Sequence, residues 1–150
     1  DLIGHCSPRW PTLLDYKAHA DEKSMYNTPP TYTIYLAQLV LRWLRDEGGV
    51  AAIERRNIEK ASLLYEAVDR TGFYVNQINP RDRSRMNVPF LLSDPKLDAA
   101  FLTAAAERGL VHLKGHRFVG GMRASIYNAM PIAGVRALVD FMHDFEARHG

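Results

Sequence analysis

The segment with the most evident chemical potential is Lys114–Arg123, where cationic side chains alternate with three glycines. Glycine lets the main chain approach a ligand closely or adopt a positive φ. An arginine guanidinium can hold a carboxylate or a phosphate with two charge-assisted hydrogen bonds. Two arginines, Arg117 and Arg123, would suit a ligand with two acidic groups. The segment predicts an anion-binding hairpin, and composition leaves a solvated basic hairpin open as the alternative.

A second candidate is the pair Asn27 and Thr28, which comes just before Pro29, Pro30 and a predicted helix. A side-chain amide and a hydroxyl at this place can bind phosphate oxygens. The pair can instead cap the helix, with Thr28 as the cap residue, and capping is the simpler interpretation. The pair is therefore a phosphate-binding or a capping motif.

The remaining charge pattern excludes several classes of function. The chain has 150 residues, with 19 Lys and Arg against 17 Asp and Glu, so a net charge of +2 argues against nucleic-acid and anionic-membrane partners. The run Arg81–Arg85 is typical of a charged turn between strands. No apolar run approaches the roughly 20 residues of a membrane span. The single Cys6 and scattered histidines predict no metal site and fit a reducing, cytoplasmic compartment.

The chain offers no residue that can be nominated as a nucleophile. None of its lysines lies in a setting that obviously lowers the pKa of its ammonium, and no serine, histidine and aspartate can be assigned as a triad. The lysines considered are Lys17, Lys23, Lys60, Lys96 and Lys114. We therefore assign no catalytic residue.

The elements that must position these candidates follow from hydrophobic spacing and from turn residues. Residues 1–30 predict a looped lead-in, and the rest predicts an α+β fold in which helices pack on a small antiparallel sheet. On the second helix, the charged residues, Lys60 among them, mostly occupy the outer face. The predicted helices are 31–47, 50–71, 93–109 and one that opens at Pro131; the predicted strands are 73–75, 86–92, 110–114 and 123–127.

Three blocks in the same order, Met25–Thr31, Ser84–Phe90 and Lys114–Ala129, resemble the phosphoserine aminotransferase family. The likeness extends from near Asp1 to Gly150. It implies the small C-terminal domain of a fold type I aminotransferase that depends on pyridoxal 5'-phosphate. Members of this family are usually homodimers that transfer an amino group between glutamate and 3-phosphohydroxypyruvate in serine biosynthesis, and some bacterial members also serve pyridoxine synthesis.

The resemblance also implies roles for single residues. His116 and Arg117 would meet the substrate phosphate or the side-chain carboxylate of glutamate, and Arg123 would hold the α-carboxylate. Asn27 and Thr28 would bind the cofactor phosphate across the dimer interface. The glycines between Arg117 and Arg123 would shape the approach to Arg123.

The same family places its Schiff-base lysine, the aromatic residue that stacks on the cofactor and the acidic partner of the pyridine nitrogen in the preceding large domain. No residue of this chain matches them, so we expect the chain alone to be inactive. Residues 1–30 would then be the tail of the large domain and its crossover, and residues 31–150 the small domain. The chain opens on Asp1 without a methionine, which we interpret as a sign of residues upstream. The alternative is a noncatalytic module that senses a phosphorylated or dicarboxylic metabolite.

Overall fold

A computed structural model of the chain describes residues 2–150. They divide into two compact units, a first that ends at Trp43 and a second that spans Leu44–Gly150. The α-helices are α1 (Tyr16–Asp21), α2 (Thr31–Asp46), α3 (Gly49–Asp69), α4 (Asp98–Glu107) and α5 (Ile132–His149); the strands are β1 (Tyr74–Val75), β2 (Asn87–Leu92) and β3 (Met122–Ser125). Helix and strand together confirm the predicted α+β class.

The first unit is more helical than the predicted lead-in. A short 3-10 helix, Thr12–Leu14, leads directly into α1, whose cap residue Asp15 accepts a hydrogen bond from the main-chain nitrogen of Lys17 at 2.9 Å. These helices are too short to show an apolar period, so the sequence pattern did not reveal them. Helix α2 begins and ends within a residue of the predicted bounds, and none of its residues is buried.

The second unit contains a sheet in the order β1-β2-β3, with both pairings antiparallel. The strands after α3 and before α5 are therefore confirmed. In β1 only two residues pair, Tyr74 with Leu92 and Val75 with Leu91. The next residue, Asn76, uses its side chain instead, and its Nδ2 donates a hydrogen bond to the carbonyl oxygen of Pro89 at 2.6 Å.

The predicted strand 110–114 is wrong. Its middle residue, His112, has a φ of 61°, which lies in the left-handed region and breaks an extended run. What remains is one isolated bridge between Lys114 and Met122, and a hydrogen bond from the nitrogen of Arg123 to the carbonyl oxygen of Leu113 at 2.7 Å. The segment thus borders β3 without forming a fourth strand.

The core lies on one face of the sheet, where α3 and α5 pack together. Alternation along β2 and β3 buries every second side chain, so Val88, Phe90, Met122 and Ala124 point into this core. Phe101 of α4 joins them at 0% exposure. Each such large apolar side chain stabilises the fold by roughly 1.5–3 kcal/mol on full burial. The intervening residues of β2 and β3 are consequently turned to the opposite, open face.

Candidate functional site

The segment Lys114–Arg123 is a closed loop whose shape its own main chain fixes. The nitrogen of Gly115 donates to the carbonyl oxygen of Gly121 at 2.8 Å, and the nitrogens of Val119 and Gly120 donate to the carbonyl oxygen of His116 at 2.9 and 2.8 Å. The predicted hairpin therefore exists, although only one of its two sides is a strand.

Two glycines make this loop possible. Gly121 has a φ of 58°, and a Cβ added there would meet the side chain of Leu91 and lie 2.7 Å from the carbonyl oxygen of Phe90. A Cβ on Gly115 would collide with the carbonyl oxygen of Gly120. At Gly121 the loop lies so close to β2 that no side chain fits between them. The positive φ of Gly121 agrees with the predicted use of glycine, whereas close approach of the main chain to a ligand stays a prediction.

A cleft of about 330 Å³ opens between this loop, the end of β1 and the open face of β2. Its walls are mainly apolar, and both His116 and Arg123 line it. The wall residues from the sheet and its turn are Val75, Ile78, Pro89 and Leu91. Apolar walls with a few convergent polar groups are typical of small-molecule sites.

Arg123 is the cationic group best placed for a ligand. It is half-buried on the open face of β3, and its Nε is buried without a hydrogen-bond partner among residues 2–150. Its guanidinium forms no ion pair within the described part of the chain. A buried donor without an acceptor is unfavourable by about 1–3 kcal/mol. An anion in the cleft would supply the missing acceptor.

The predicted pair His116 and Arg117 is divided by the loop. Both residues are exposed, but only His116 lines the cleft, and the guanidinium of Arg117 lies over the ring of Phe118 at 4.6 Å. The Phe118 ring is itself 79% exposed and 5.4 Å from the imidazole of His116. The structure thus brings His116 and Arg123 to one cleft and places Arg117 at the loop tip. Their roles toward phosphate and carboxylate stay predictions.

Asn27 and Thr28 lie in the first unit, in the stretch between α1 and α2. Both are exposed, and within residues 2–150 neither side chain has a hydrogen-bond partner. Because α2 begins at Thr31, two prolines separate Thr28 from the helix, and no capping bond forms. The capping interpretation is not supported, and both side chains are free to bind a ligand.

Two arginines of the charged turn Arg81–Arg85 make contacts within the fold. The Arg83 guanidinium meets both carboxylate oxygens of Asp69, at 2.5 and 3.0 Å, and lies over the ring of Tyr65 at 4.7 Å. Arg85 contacts Glu54 at 2.8 Å. These arginines are engaged within the fold, which supports the interpretation of the segment as an ordinary turn.

Lys60 is the residue whose environment sequence reasoning missed. It does not lie on the outer face of α3, because its side chain is buried at 2% exposure. Its Nζ donates hydrogen bonds to the carbonyl oxygens of Ile126, Tyr127 and Met130 at 3.1, 2.8 and 3.0 Å. Burial lowers the pKa of Lys60. The signal was its spacing, since Asn57, Lys60 and Leu64 share one stripe with the apolar residues of α3.

Residues 2–150 lack the features of two further classes of site. No group of three or more His, Cys, Asp or Glu residues is arranged to hold a metal ion. No helix in that range combines the length and apolar character needed to cross a membrane.

Comparison with known proteins adds a family match and full-length relatives. The family model for class-V aminotransferases matches residues 9–138. A phosphoserine aminotransferase of Aromatoleum aromaticum is 59% identical over 150 residues, which are 100% of this chain and 41% of that protein. One of Nitrosomonas europaea is 61% identical over 139 residues, which are 93% of this chain and 38% of that protein.

Solved structures agree with the sequence matches. The phosphoserine aminotransferase of Bacillus circulans subsp. alkalophilus is similar with a TM-score of 0.88 and 43% identity, over 96% of this chain and 40% of that one. A phosphoserine aminotransferase from Trichomonas vaginalis with bound PLP is similar with a TM-score of 0.81 and 44% identity, over 91% of this chain and 39% of that one. The chain spans about two fifths of the length of these relatives.

Proposed function

This chain belongs to the class-V aminotransferase family, and we propose that it forms the substrate-recognition part of a phosphoserine aminotransferase. The proposed reaction moves an amino group between glutamate and 3-phosphohydroxypyruvate and yields 3-phosphoserine and 2-oxoglutarate, a step of serine biosynthesis. Support comes from relatives of that name at 57–61% identity that match nearly all of the chain.

The observation that carries the proposal is the Arg123 guanidinium, which has no ion-pair partner within residues 2–150 and lies in the cleft that His116 also lines. Glutamate and phosphoserine share an α-carboxylate and differ in their second acidic group. Arg123 would hold the shared carboxylate with two charge-assisted hydrogen bonds. His116 and Arg117 would meet the distal phosphate or carboxylate, and the apolar walls would exclude water and strengthen both interactions.

The cofactor of the proposed enzyme is pyridoxal 5'-phosphate, and Asn27 with Thr28 would hold its phosphate. The two side chains fit this group because an exposed amide and an exposed hydroxyl, both without partners within residues 2–150, offer three hydrogen-bond donors, two N–H and one O–H. When bound, the cofactor supplies an electron-withdrawing ring that stabilises negative charge at the α-carbon of the substrate. No lysine of this chain is assigned as the Schiff-base lysine, so we expect no turnover from these residues alone.

The organisation of the whole enzyme is part of the same proposal. Residues 1–30 would form the tail of the large domain and its crossover, and residues 31–150 the small domain. The enzyme would be a cytoplasmic homodimer in which Asn27 and Thr28 contact the cofactor of the other subunit. A second role in pyridoxine synthesis would use the same anion-binding cleft.

The proposal is tested in a full-length chimera, defined as the Aromatoleum aromaticum relative with its matching region replaced by these 150 residues. We expect the chimera with bound cofactor to convert glutamate and 3-phosphohydroxypyruvate into 2-oxoglutarate and phosphoserine. The unmodified relative is the positive control for cofactor and assay. A folded chimera that binds pyridoxal phosphate and both substrates but transfers no amino group would contradict the proposal and favour a noncatalytic metabolite-binding module.

A further inference from the structure

Lys60 carries a buried positive charge that no carboxylate of residues 2–150 neutralises. An ammonium has three N–H donors, and here three main-chain carbonyl oxygens use all of them, those of Ile126, Tyr127 and Met130. A buried charge is tolerated only when hydrogen bonds replace its hydration. The ammonium and the three carbonyls therefore depend on each other.

The three carbonyls belong to one segment, Ile126–Met130, which joins the end of β3 to the start of α5. One helical turn before Lys60, the Nδ2 of Asn57 donates to the Oδ1 of Asn128 in the same segment at 2.8 Å. Four hydrogen bonds from two turns of α3 thus hold four of the five residues of this segment. Side chains of α3 also bond to the turn Arg83–Arg85, through Glu54, Tyr65 and Asp69, but only the bonds to Ile126–Met130 reach the segment that follows β3 within residues 2–150.

This segment directly follows β3, which carries Arg123, and its first residue, Ile126, also donates its main-chain nitrogen to the carbonyl oxygen of Met86 at 2.9 Å. Ile126 follows Arg123 by three residues, roughly 10 Å along an extended strand. On the side away from β2, β3 has only the Lys114 bridge and the Leu113 hydrogen bond. A strand that slips by one residue turns each side chain to the opposite face. For Arg123 such a slip would move the guanidinium from the open cleft toward the apolar core.

We infer that Lys60 is a positioning residue for substrate recognition: its ammonium fixes the end of β3 and thereby keeps the Arg123 guanidinium in the cleft. This inference rests on the proposed function, because it assigns the substrate carboxylate to Arg123. Lys60 does not touch the substrate. It acts through the main chain of Ile126–Met130.

The experiment removes the ammonium and then returns it as a separate molecule. In the chimera, Lys60→Ala leaves a cavity that matches propylammonium in length and charge. We expect Lys60→Ala to raise the KM of glutamate and of 3-phosphohydroxypyruvate on the order of tenfold, with kcat changed far less, since the lost interaction holds the substrate equally in the ground state and in the transition state. Propylammonium should bring the KM of Lys60→Ala most of the way back to that of the unsubstituted chimera. Tetramethylammonium, which has the charge but no N–H donor, should not.

Two controls separate positioning from general damage. Lys96→Ala removes an exposed lysine of the second unit and should leave both constants unchanged. In the background of Arg123→Ala, Lys60→Ala should raise KM no further, because the two residues act on the same carboxylate. The inference is overturned if the two substitutions raise KM independently, so that their free-energy effects add in the double variant. It is also overturned if propylammonium does not lower the KM of Lys60→Ala.

Asn57→Ala carries the test if Lys60→Ala does not fold. It removes one bond to the same segment without exposing three carbonyls, and we expect a rise in KM of about threefold, with kcat retained. An unchanged KM in that variant also overturns the inference. Loss of the proposed function looks different, since the unsubstituted chimera would then be inactive before any variant is made.

Discussion

The hydroxyl of Tyr74 donates a hydrogen bond to the carbonyl oxygen of Met142 at 2.8 Å, inside the core of the second unit. The bond joins β1 to α5, and burial raises the pKa of Tyr74 well above its ordinary value. The neutral phenol is therefore the form that the fold favours, while the unfolded chain ionises near pH 10.

The first prediction concerns the alkaline stability of the chain. Because the folded state keeps the Tyr74 proton above the unfolded pKa, the stabilisation is present below about pH 10 and falls as pH rises further. Tyr74→Phe should lower the free energy of unfolding by about 0.5–1.5 kcal/mol at pH 7 and flatten its decline above pH 10. Urea denaturation between pH 7 and 11.5 measures both. Tyr32→Phe, at an exposed position of α2, is the control; an equal decline in the two variants would count against the argument.

A second prediction tests Arg123 in the chimera. Arg123→Ala should raise the KM of both substrates, since each charge-assisted hydrogen bond contributes about 1.5–3 kcal/mol. Arg123→Lys keeps the charge and loses the planar fork, so its effect should be intermediate. Steady-state kinetics with glutamate and with 3-phosphohydroxypyruvate gives the comparison. Arg136→Ala removes an exposed arginine of α5 and serves as the control. Unchanged kinetics for both substrates would refute the assignment of Arg123.

The two neighbouring glycines provide a third, matched prediction. Gly120 has a φ of 76° with open space where a Cβ would stand. Gly120→Ala should therefore lower the free energy of unfolding by roughly 1–2 kcal/mol, because alanine is strained in the left-handed conformation. Gly121→Ala adds a steric clash with β2 and should cost roughly 1–3 kcal/mol more. Urea denaturation of the two variants tests the difference. Equal stability of both would show that the loop is not held against β2.

A fourth prediction concerns the charged turn before β2. Arg83 is mostly buried, with its side chain 13% exposed, and its guanidinium meets Asp69 with two hydrogen bonds. Arg83→Ala should therefore lower the free energy of unfolding by roughly 1–2 kcal/mol. Arg81→Ala, at an exposed position of the same turn, should change it by less than about 0.5 kcal/mol. If instead Arg81→Ala and Arg83→Ala both weaken binding of a single-stranded RNA without a change in stability, the turn is a nucleic-acid contact.

The sequence predicted the helices α2, α3 and α5 and the strand β2 well, because each has enough turns or alternating positions to show a period. The strand predicted at 110–114 is wrong for a local reason. The positive φ of His112 interrupts it, and the pattern of apolar residues does not reveal a φ angle. The charge of Lys60 led to the wrong prediction that its side chain lies on the outer face of α3. A lysine is usually solvated, and only the three carbonyls of a segment 66 to 70 residues further along the chain make its burial possible.

The candidate site divides in the same way. Glycines and cations in one short segment were sufficient to predict a hairpin loop that ends at Arg123, and anion binding by that loop stays a prediction. The separation of His116 from Arg117 was not predictable, because it depends on how the loop turns at Val119 and Gly120. That no capping bond forms at Thr28 likewise follows from where α2 begins, because Pro29 and Pro30 separate Thr28 from the first helical residue, Thr31.

The short strand β1 has a consequence for the cleft. Continued pairing would set Gln77 opposite Pro89, but a proline has no N–H to donate to a sheet. The Asn76 side chain takes the free carbonyl oxygen of Pro89 instead, and the chain departs from the sheet at that point. The residues at which the chain departs, Asn76, Gln77 and Ile78, line the same cleft as His116 and Arg123. Because Pro89 lacks an amide hydrogen, β1 cannot continue along β2, and this edge of the sheet is left open for the cleft.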